Sequence, residues 1–458
     1  MHQTAGRFGL CAFTLLLLAP CRGAVAQNET TDSTPTPLVS AGHAVDWWFA
    51  FKFNSTTFLR PASSKPACLF GGTPGGDKNG KIGYYLGQIG QDYAIATSDS
   101  PKLVKGPGYL GDSTADPVGA TFDEVFNGNL FYVVWNDQFY GDPALACEAS
   151  GTECGKPWGH SKGLLAWDAN GNGFVMQVTT PDWPGSGSAA NPRDEGNSLG
   201  CTLTDNDVLM SQDFFALKLT EADLLKVLAA LAQEGAVTDT NTPEIVKTGG
   251  PQEVLDAVAK LGSANSNAPL ESYTLSSGVK VLAKAGGLTA PPWQLVSAAL
   301  GGVPLRVASF WTGTKIYSTT AQTKVSCLPA GMGTPAAVQI ATTGTWDGST
   351  PIGLTGSVQT VSGTALGPNH AKIGVSTSAG SSLTILGDMN QDGVLSPLAK
   401  GGCQSSQNVR GGLFFVVDNV DLHDSVAALL TGKTAPTRAP VKKSTSSTSS
   451  SKTAKPAK

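Results

Sequence analysis

Beyond its first two dozen residues the sequence has no run long or apolar enough to cross a membrane, which takes about 20 consecutive apolar residues. Its cysteines form no Cys-x-x-Cys pair and fall in no metal-ligand spacing, which removes the common zinc frameworks. There is no Gly-x-Ser-x-Gly elbow, no Walker loop and no dinucleotide fingerprint, so the chemistries those motifs carry have no support here. Histidine is scarce, with five in 458 residues.

The residues that are present point first to export. Arg7 forms a short basic region, Leu10 to Leu18 is an apolar stretch too short to span a bilayer, and Ala24-Val25-Ala26 is a small-residue cleavage signature. A signal peptide over 1–26 is therefore expected, with the mature chain starting at Gln27. The expected address is secreted or lysosomal/vacuolar. Six cysteines follow, an even number that predicts three disulfides in an exported chain. The expected pairs are Cys147–Cys154 as a short surface loop and Cys327–Cys403 in the C-terminal half, leaving Cys68 with Cys201. Asn28-Glu29-Thr30 and Asn54-Ser55-Thr56 are N-glycosylation sequons. Formal charge is −4, and it becomes −6 without Arg7 and Arg22. Residues 433–458 carry seven basic residues and no acid, so the body 27–432 stands near −13. That balance is awkward for a nucleic-acid binder at neutral pH and less so in an acidic compartment, where carboxylates begin to protonate.

Residues 27–42 read as a loose segment. Strands are expected over 46–53, 81–86, 93–97 and 130–135. A hairpin is expected over 163–179, around the turn Asn170-Gly171-Asn172-Gly173. Thr220 is a plausible N-cap for a helix to Gln233, with Leu224, Leu225, Val227, Leu228 and Leu231 as its apolar stripe. Further helices are expected over 251–261 and 292–300. The second half repeats the scheme, with a strand over 303–311, a hairpin over 372–386 and a closing helix over 421–430. The expected halves are 43–235 and 236–432. The Lys, Ser, Thr, Ala and Pro tail 433–458 reads as disordered.

Two of the five histidines share one frame, His160-Ser161-Lys162 and His370-Ala371-Lys372. On a strand, residues i and i+2 point to the same face, so each triplet presents an imidazole beside an ammonium. Imidazole serves as nucleophile or proton carrier near neutral pH, and lysine adds fixed positive charge. Two such pairs meeting at one site would make a pocket for a phosphodiester.

Around these triplets lie Val45-Asp46-Trp47-Trp48-Phe49-Ala50-Phe51-Lys52, Asn136-Asp137-Gln138, the run Gly159 to Asp168, Gly387-Asp388-Met389-Asn390 and Arg410-Gly411-Gly412. In this order and spacing, over about residues 43–430, the set resembles the deoxyribonuclease II family, a branch of the phospholipase D superfamily. The resemblance implies an α/β fold, a phospholipase D-like pseudodimer of two α/β/α sandwich halves sharing one active site. It implies that His160 is the nucleophile and His370 the general acid. Lys162 and Lys372 would hold the non-bridging phosphate oxygens, assisted by Asn390. The implied activity is metal-independent hydrolysis of DNA phosphodiesters through a phosphohistidine, leaving a 3′-phosphate and a 5′-hydroxyl, with an acid pH optimum. No cofactor is expected. DNA of any sequence is the expected partner, without a membrane or an obligate protein partner. The alternatives are a phospholipase D-type phosphodiesterase on lipid head groups and a catalytically dead DNA-binding homologue.

The chain also departs from the broader pattern. Trp167 stands where phospholipase D has Asp, with Asp168 one further, and Thr377 holds the matching place after the second motif. Both departures are shared by deoxyribonuclease II. Val178 stands where family members often carry histidine. Arg410 either contacts phosphate or caps a loop, and Asn136 either lines the site or ends a strand. Asp388-x-Asn390-x-Asp392-Gly393 and Asp168-x-Asn170-x-Asn172-Gly173 match the start of a calcium loop. The place of its bidentate Glu holds Ala399 and Thr179, so both read as turns. His43 and His423 have no such frame and read as surface or structural histidines.

Overall fold

Two large sheets account for most of the strands. The structure, a computed structural model, describes residues 34–59, 90–139, 143–148, 153–181, 209–267, 269–311 and 313–437. The expected strand over 81–86, the Cys68–Cys201 pair, Asn28, the leader 1–26 and the tail from 438 onward lie outside them. The first sheet has eight strands in the spatial order Val246–Lys247, Phe131–Asn136, Lys162–Trp167, Gly173–Val178, Gln212–Leu219, Trp47–Lys52, Tyr93–Thr97 and Val104–Lys105, all antiparallel. The second has seven, in the order Leu270–Thr274, Lys280–Lys284, Gly412–Asp418, Leu383–Gly387, Ile373–Ser376, Leu305–Ala308 and Val338–Ile340, with only the last pair parallel. The protein is thus a mixed α/β chain with several sheets and few helices.

Both H-x-K hairpins occupy the same place in their sheets. Each is flanked on one side by an earlier strand (Phe131–Asn136 or Leu305–Ala308) and on the other by a later one (Gln212–Leu219 or Gly412–Asp418). The first hairpin turns where Gly171 takes φ 79°, a left-handed conformation that glycine adopts without steric cost. Asp168 accepts from the N–H groups of Asn170 and Asn172, so this calcium-like string is an Asx turn.

The helix Glu221–Glu234 packs on strands of both sheets. It starts where Thr220 accepts the Asp223 N–H and ends at Gly235 in the left-handed region. One apolar core joins the sheets, with Phe215 and Phe415 meeting across it at 5.7 Å. A helix that the sequence pattern did not disclose, Pro117–Phe126, is capped by Asp116 and carries Gly119 in its first turn, because a side chain there would strike the Ser113 carbonyl.

The Cys147–Cys154 and Cys327–Cys403 disulfides are both formed. At the N-terminal edge Leu38–Ser40 pairs with His43–Ala44, so the segment expected to be loose is ordered there. At the other end Ala435 is buried and its N–H donates to Ile340, so order runs past residue 432. Asn54 corrects the second sequon. It is fully buried and its carbonyl caps Thr56 and Thr57, which leaves a glycan no exit from the folded chain. Among the described residues no helix is long and apolar enough to cross a membrane.

Candidate functional site

Each H-x-K motif is held by the opposite sheet. The His160 N–H donates to the Gly411 carbonyl (2.9 Å), and the His370 N–H donates to the Ser211 carbonyl (2.7 Å). Gly411 and Ser211 both lead into a strand of the other sheet. The rings repeat this exchange. His160 Nδ1 lies 2.6 Å from the Asp388 carbonyl oxygen, and His370 Nδ1 lies 2.7 Å from that of Thr179. Asp388 and Thr179 are each the first residue after the return strand of the opposite hairpin. A carbonyl only accepts, so Nδ1 carries the proton in both rings and Nε2 keeps the lone pair. Both rings line one cavity of about 620 Å³, together with Asn390, Arg410, Gln212 and Phe310, whose ring meets His370 edge-on at 4.9 Å.

The lysines lie beneath the imidazoles, fully buried. Asp388 stands between them, with Oδ2 3.0 Å from Lys162 Nζ and Oδ1 3.0 Å from Lys372 Nζ. Asp137 accepts from Lys162 (2.7 Å) through one oxygen and from Arg410 (2.8 Å) through the other. Arg410 also donates to the carbonyls of Trp158, Cys154 and Gly159. It therefore clamps the approach to the first motif while lining the cavity. Lys372 Nζ lies 3.0 Å and 3.3 Å from the two nitrogens of His370. Three cations thus share two carboxylates at the floor of the pocket.

Burial pushes both imidazoles well below the usual histidine range. For His160, Asp137 opposes that shift while Lys162, Arg410 and Lys372 reinforce it. For His370, Lys372 and Lys162 reinforce it, against the Thr179 carbonyl. Burial also lowers Lys372 to about 8 and raises Asp388, and the two lysines only partly offset the latter. Burial would raise Asp137 too, yet Lys162, His160 and Arg410 hold it below the carboxylate range. Burial works against the Lys162 ammonium, but Asp137 and Asp388 hold its pKa above the ordinary value.

Of the sequence candidates, the structure brings His160, His370, Asn390 and Arg410 to the cavity and places Lys162 and Lys372 directly behind. The Asn390 side-chain oxygen is buried without a partner, an orphan that a bound group could satisfy. Asn136 is not among the cavity's lining. It is fully buried at its strand end, where its carbonyl accepts the Gln138 N–H at 2.8 Å. His43 is exposed, and His423 is satisfied by the Ser376 carbonyl and Asp424.

Sequence reasoning missed the two carboxylates, although both lie inside quoted motifs, Asp137 in Asn-Asp-Gln and Asp388 in Gly-Asp-Met-Asn. It also missed Gln212, 3.2 Å from His370 Nδ1, and Glu234, which accepts the Ser161 hydroxyl at 2.5 Å. Asp137, His160 and Asp388 place three ligand-type atoms within 4.8 Å of one another. The Lys162 ammonium already sits on both carboxylates, so this donor set holds its own cation and does not fit a metal ion.

A family model described as Deoxyribonuclease II matches residues 85–289, a span that includes the first H-x-K motif and ends before the second. No curated protein matches the chain. That match, with this site, supports assigning the chain to the deoxyribonuclease II family and, with it, an endodeoxyribonuclease phosphodiesterase activity.

Proposed function

We propose that the chain is an exported acid endodeoxyribonuclease that cuts DNA of any sequence through a phosphohistidine on His160. The observation that carries this reading is the reciprocal seating of two imidazoles over two buried lysines at one pocket. The same reciprocity supports reading the two sheets as halves of a phospholipase D-like pseudodimer. Phosphoryl transfer needs positive charge near the non-bridging oxygens, an in-line nucleophile and a protonated leaving group. Lys162 and Lys372 are assigned the first role, with Asn390 assisting.

His160 attacks phosphorus through Nε2, and the bond from phosphorus to the 5′ oxygen breaks. Protonated His370 gives its proton to that oxygen, releasing a 5′-hydroxyl. Water then loses a proton to His370 and attacks the phosphohistidine, and the P–N bond breaks. The product is a 3′-phosphate and His160 is restored. Because burial depresses both imidazoles, the protonated state that His370 needs is reached on the acid side. The same drop in pH neutralises Asp388, whose pKa is raised, and releases both lysines toward the phosphate.

The test is cleavage of supercoiled plasmid at about pH 5 in excess EDTA, where the unperturbed imidazole is protonated. Nicking is expected from the folded wild-type protein and none from His160→Ala or His370→Ala. An inactive wild-type protein sinks the proposal.

A further inference from the structure

A second cavity, of about 770 Å³, lies on the other side of the loop that closes the catalytic pocket. Asn390 and the turn Ser406–Val409 face the catalytic pocket, while Gly393 to Leu395, Ala399 and Lys400 face this one. Its other wall is the segment Thr314 to Lys324. Several bonds bind the walls together: the Cys327–Cys403 disulfide, the Ile316 N–H on the Gln391 carbonyl, the Gly393 N–H on Thr314, and the Cys327 N–H on Leu395. The cavity is therefore a built groove fixed to the segment that carries Asn390.

The groove runs against the charge of the molecule. Lys315, Lys324 and Lys400 line it and are exposed, and neither wall segment, 313–327 nor 393–403, contains an acidic residue, in a body that carries about −13. Asp392 is the carboxylate beside it among the described residues, buried and facing Lys315. Among the described residues none of the three lysines forms an ion pair with a carboxylate. The hydroxyls of Thr320, Thr323 and Tyr317 add donors that suit phosphate oxygens. The Lys315 ammonium rests 4.6 Å over the Trp311 ring, and Trp311 directly follows Phe310, which packs on His370 in the catalytic pocket.

We propose that this groove is a backbone subsite that holds the DNA strand to one side of the scissile phosphate through Lys315, Lys324 and Lys400. The proposal rests on the nuclease reading above, and it explains how an acidic molecule grips a polyanion. Each lysine–phosphate contact releases condensed counterions, so binding through the groove must depend steeply on salt.

The test measures binding of a fluorescent DNA duplex to the full chain carrying His160→Asn, in EDTA, across a salt series. Adding Lys315→Ala, Lys324→Ala and Lys400→Ala together should weaken binding about tenfold or more and flatten the log–log salt slope by about 2 to 3. A charge-matched control, Lys247→Ala with Lys260→Ala and Lys280→Ala, removes exposed lysines that line neither cavity and should leave the slope unchanged. Equal slopes for the two triple variants, or no measurable DNA binding, overturn the groove. DNA binding with the predicted slope change, in a protein whose wild type never cuts, keeps the groove and removes the catalytic reading instead.

Discussion

At both imidazoles the same ring atom, Nδ1, is committed to a backbone carbonyl, so the division of labour must come from the groups around them. His370 Nδ1 faces two acceptors, the Thr179 carbonyl and the Gln212 side-chain oxygen at 3.2 Å, both of which favour imidazolium. Around His160 three cations oppose imidazolium, and Asp137 is the one carboxylate that favours it. Lys372 and Lys162 oppose imidazolium at His370 as well, so the proposed roles, His370 as acid and His160 as nucleophile, rest on the family resemblance and need a kinetic test. Those charges yield a signed prediction. Lys372 is the largest charge that lowers His370, after burial. Lys372→Met removes that charge, so the His370 pKa rises and the alkaline limb of the kcat–pH profile moves to higher pH, while peak turnover falls for want of a phosphate contact. A pH–rate profile reads this directly. Movement of the acid limb instead would exchange the two roles.

The strand Gly412–Asp418 is the element on which the first motif depends, because its leader Gly411 takes the His160 N–H and lies against the end of the helix Glu221–Glu234. A side chain on Gly411 would drive into the Glu234 carbonyl, with the Lys284 carbonyl also in reach. Neither backbone group can swing aside as a side chain would. Gly411→Ala should therefore cost about 1 to 3 kcal/mol in a denaturant melt and displace His160, lowering kcat more than KM. Wild-type stability and turnover in this variant would show that the close approach is unimportant. The glycines after Arg410 and the end of the helix near Gln233 were both visible in the sequence, but the contact between them was not. The same limit applies elsewhere. The first H-x-K hairpin was legible because its Asn170-Gly171-Asn172-Gly173 turn is a local signal. Gln212–Leu219 and Gly412–Asp418 went unread because, buried along almost their whole length like the hairpin strands, they show no alternation, and no Asn-Gly turn joins them to a neighbouring run. The paired histidines and lysines could be named in advance. The Asp137–Arg410 and Asp388 clamps could not, since they join residues 273, 226 and 16 positions apart through tertiary packing.

At the scale of the whole molecule, the buried charge assigned to the proposed acid catalysis should also set where the fold is most stable. Burial raises Asp116 to about 6 and Glu124, Asp213 and Asp392 to about 7, and it raises Asp388 and Glu234 as well. A carboxylate whose folded pKa lies above its unfolded value binds more protons in the folded state. Its stabilising contribution is complete below about pH 4 and is lost as pH rises through the folded value. His160 and His370 work the other way, since burial keeps them neutral in the fold and stability is lost as pH falls below the unfolded value. Six raised carboxylates against two lowered imidazoles leave a net proton uptake on folding between about pH 4 and 7. The lowered lysines, Lys284 at about 7 and Lys372 at about 8, act on the alkaline side of that window. The thermal midpoint should therefore be higher at about pH 5 than at about pH 7, at matched ionic strength. Differential scanning calorimetry at the two pH values measures it. An equal or lower midpoint at the acid pH would mean that these carboxylates are hydrated or paired in solution, and that the acid form of the active site is not built into the fold.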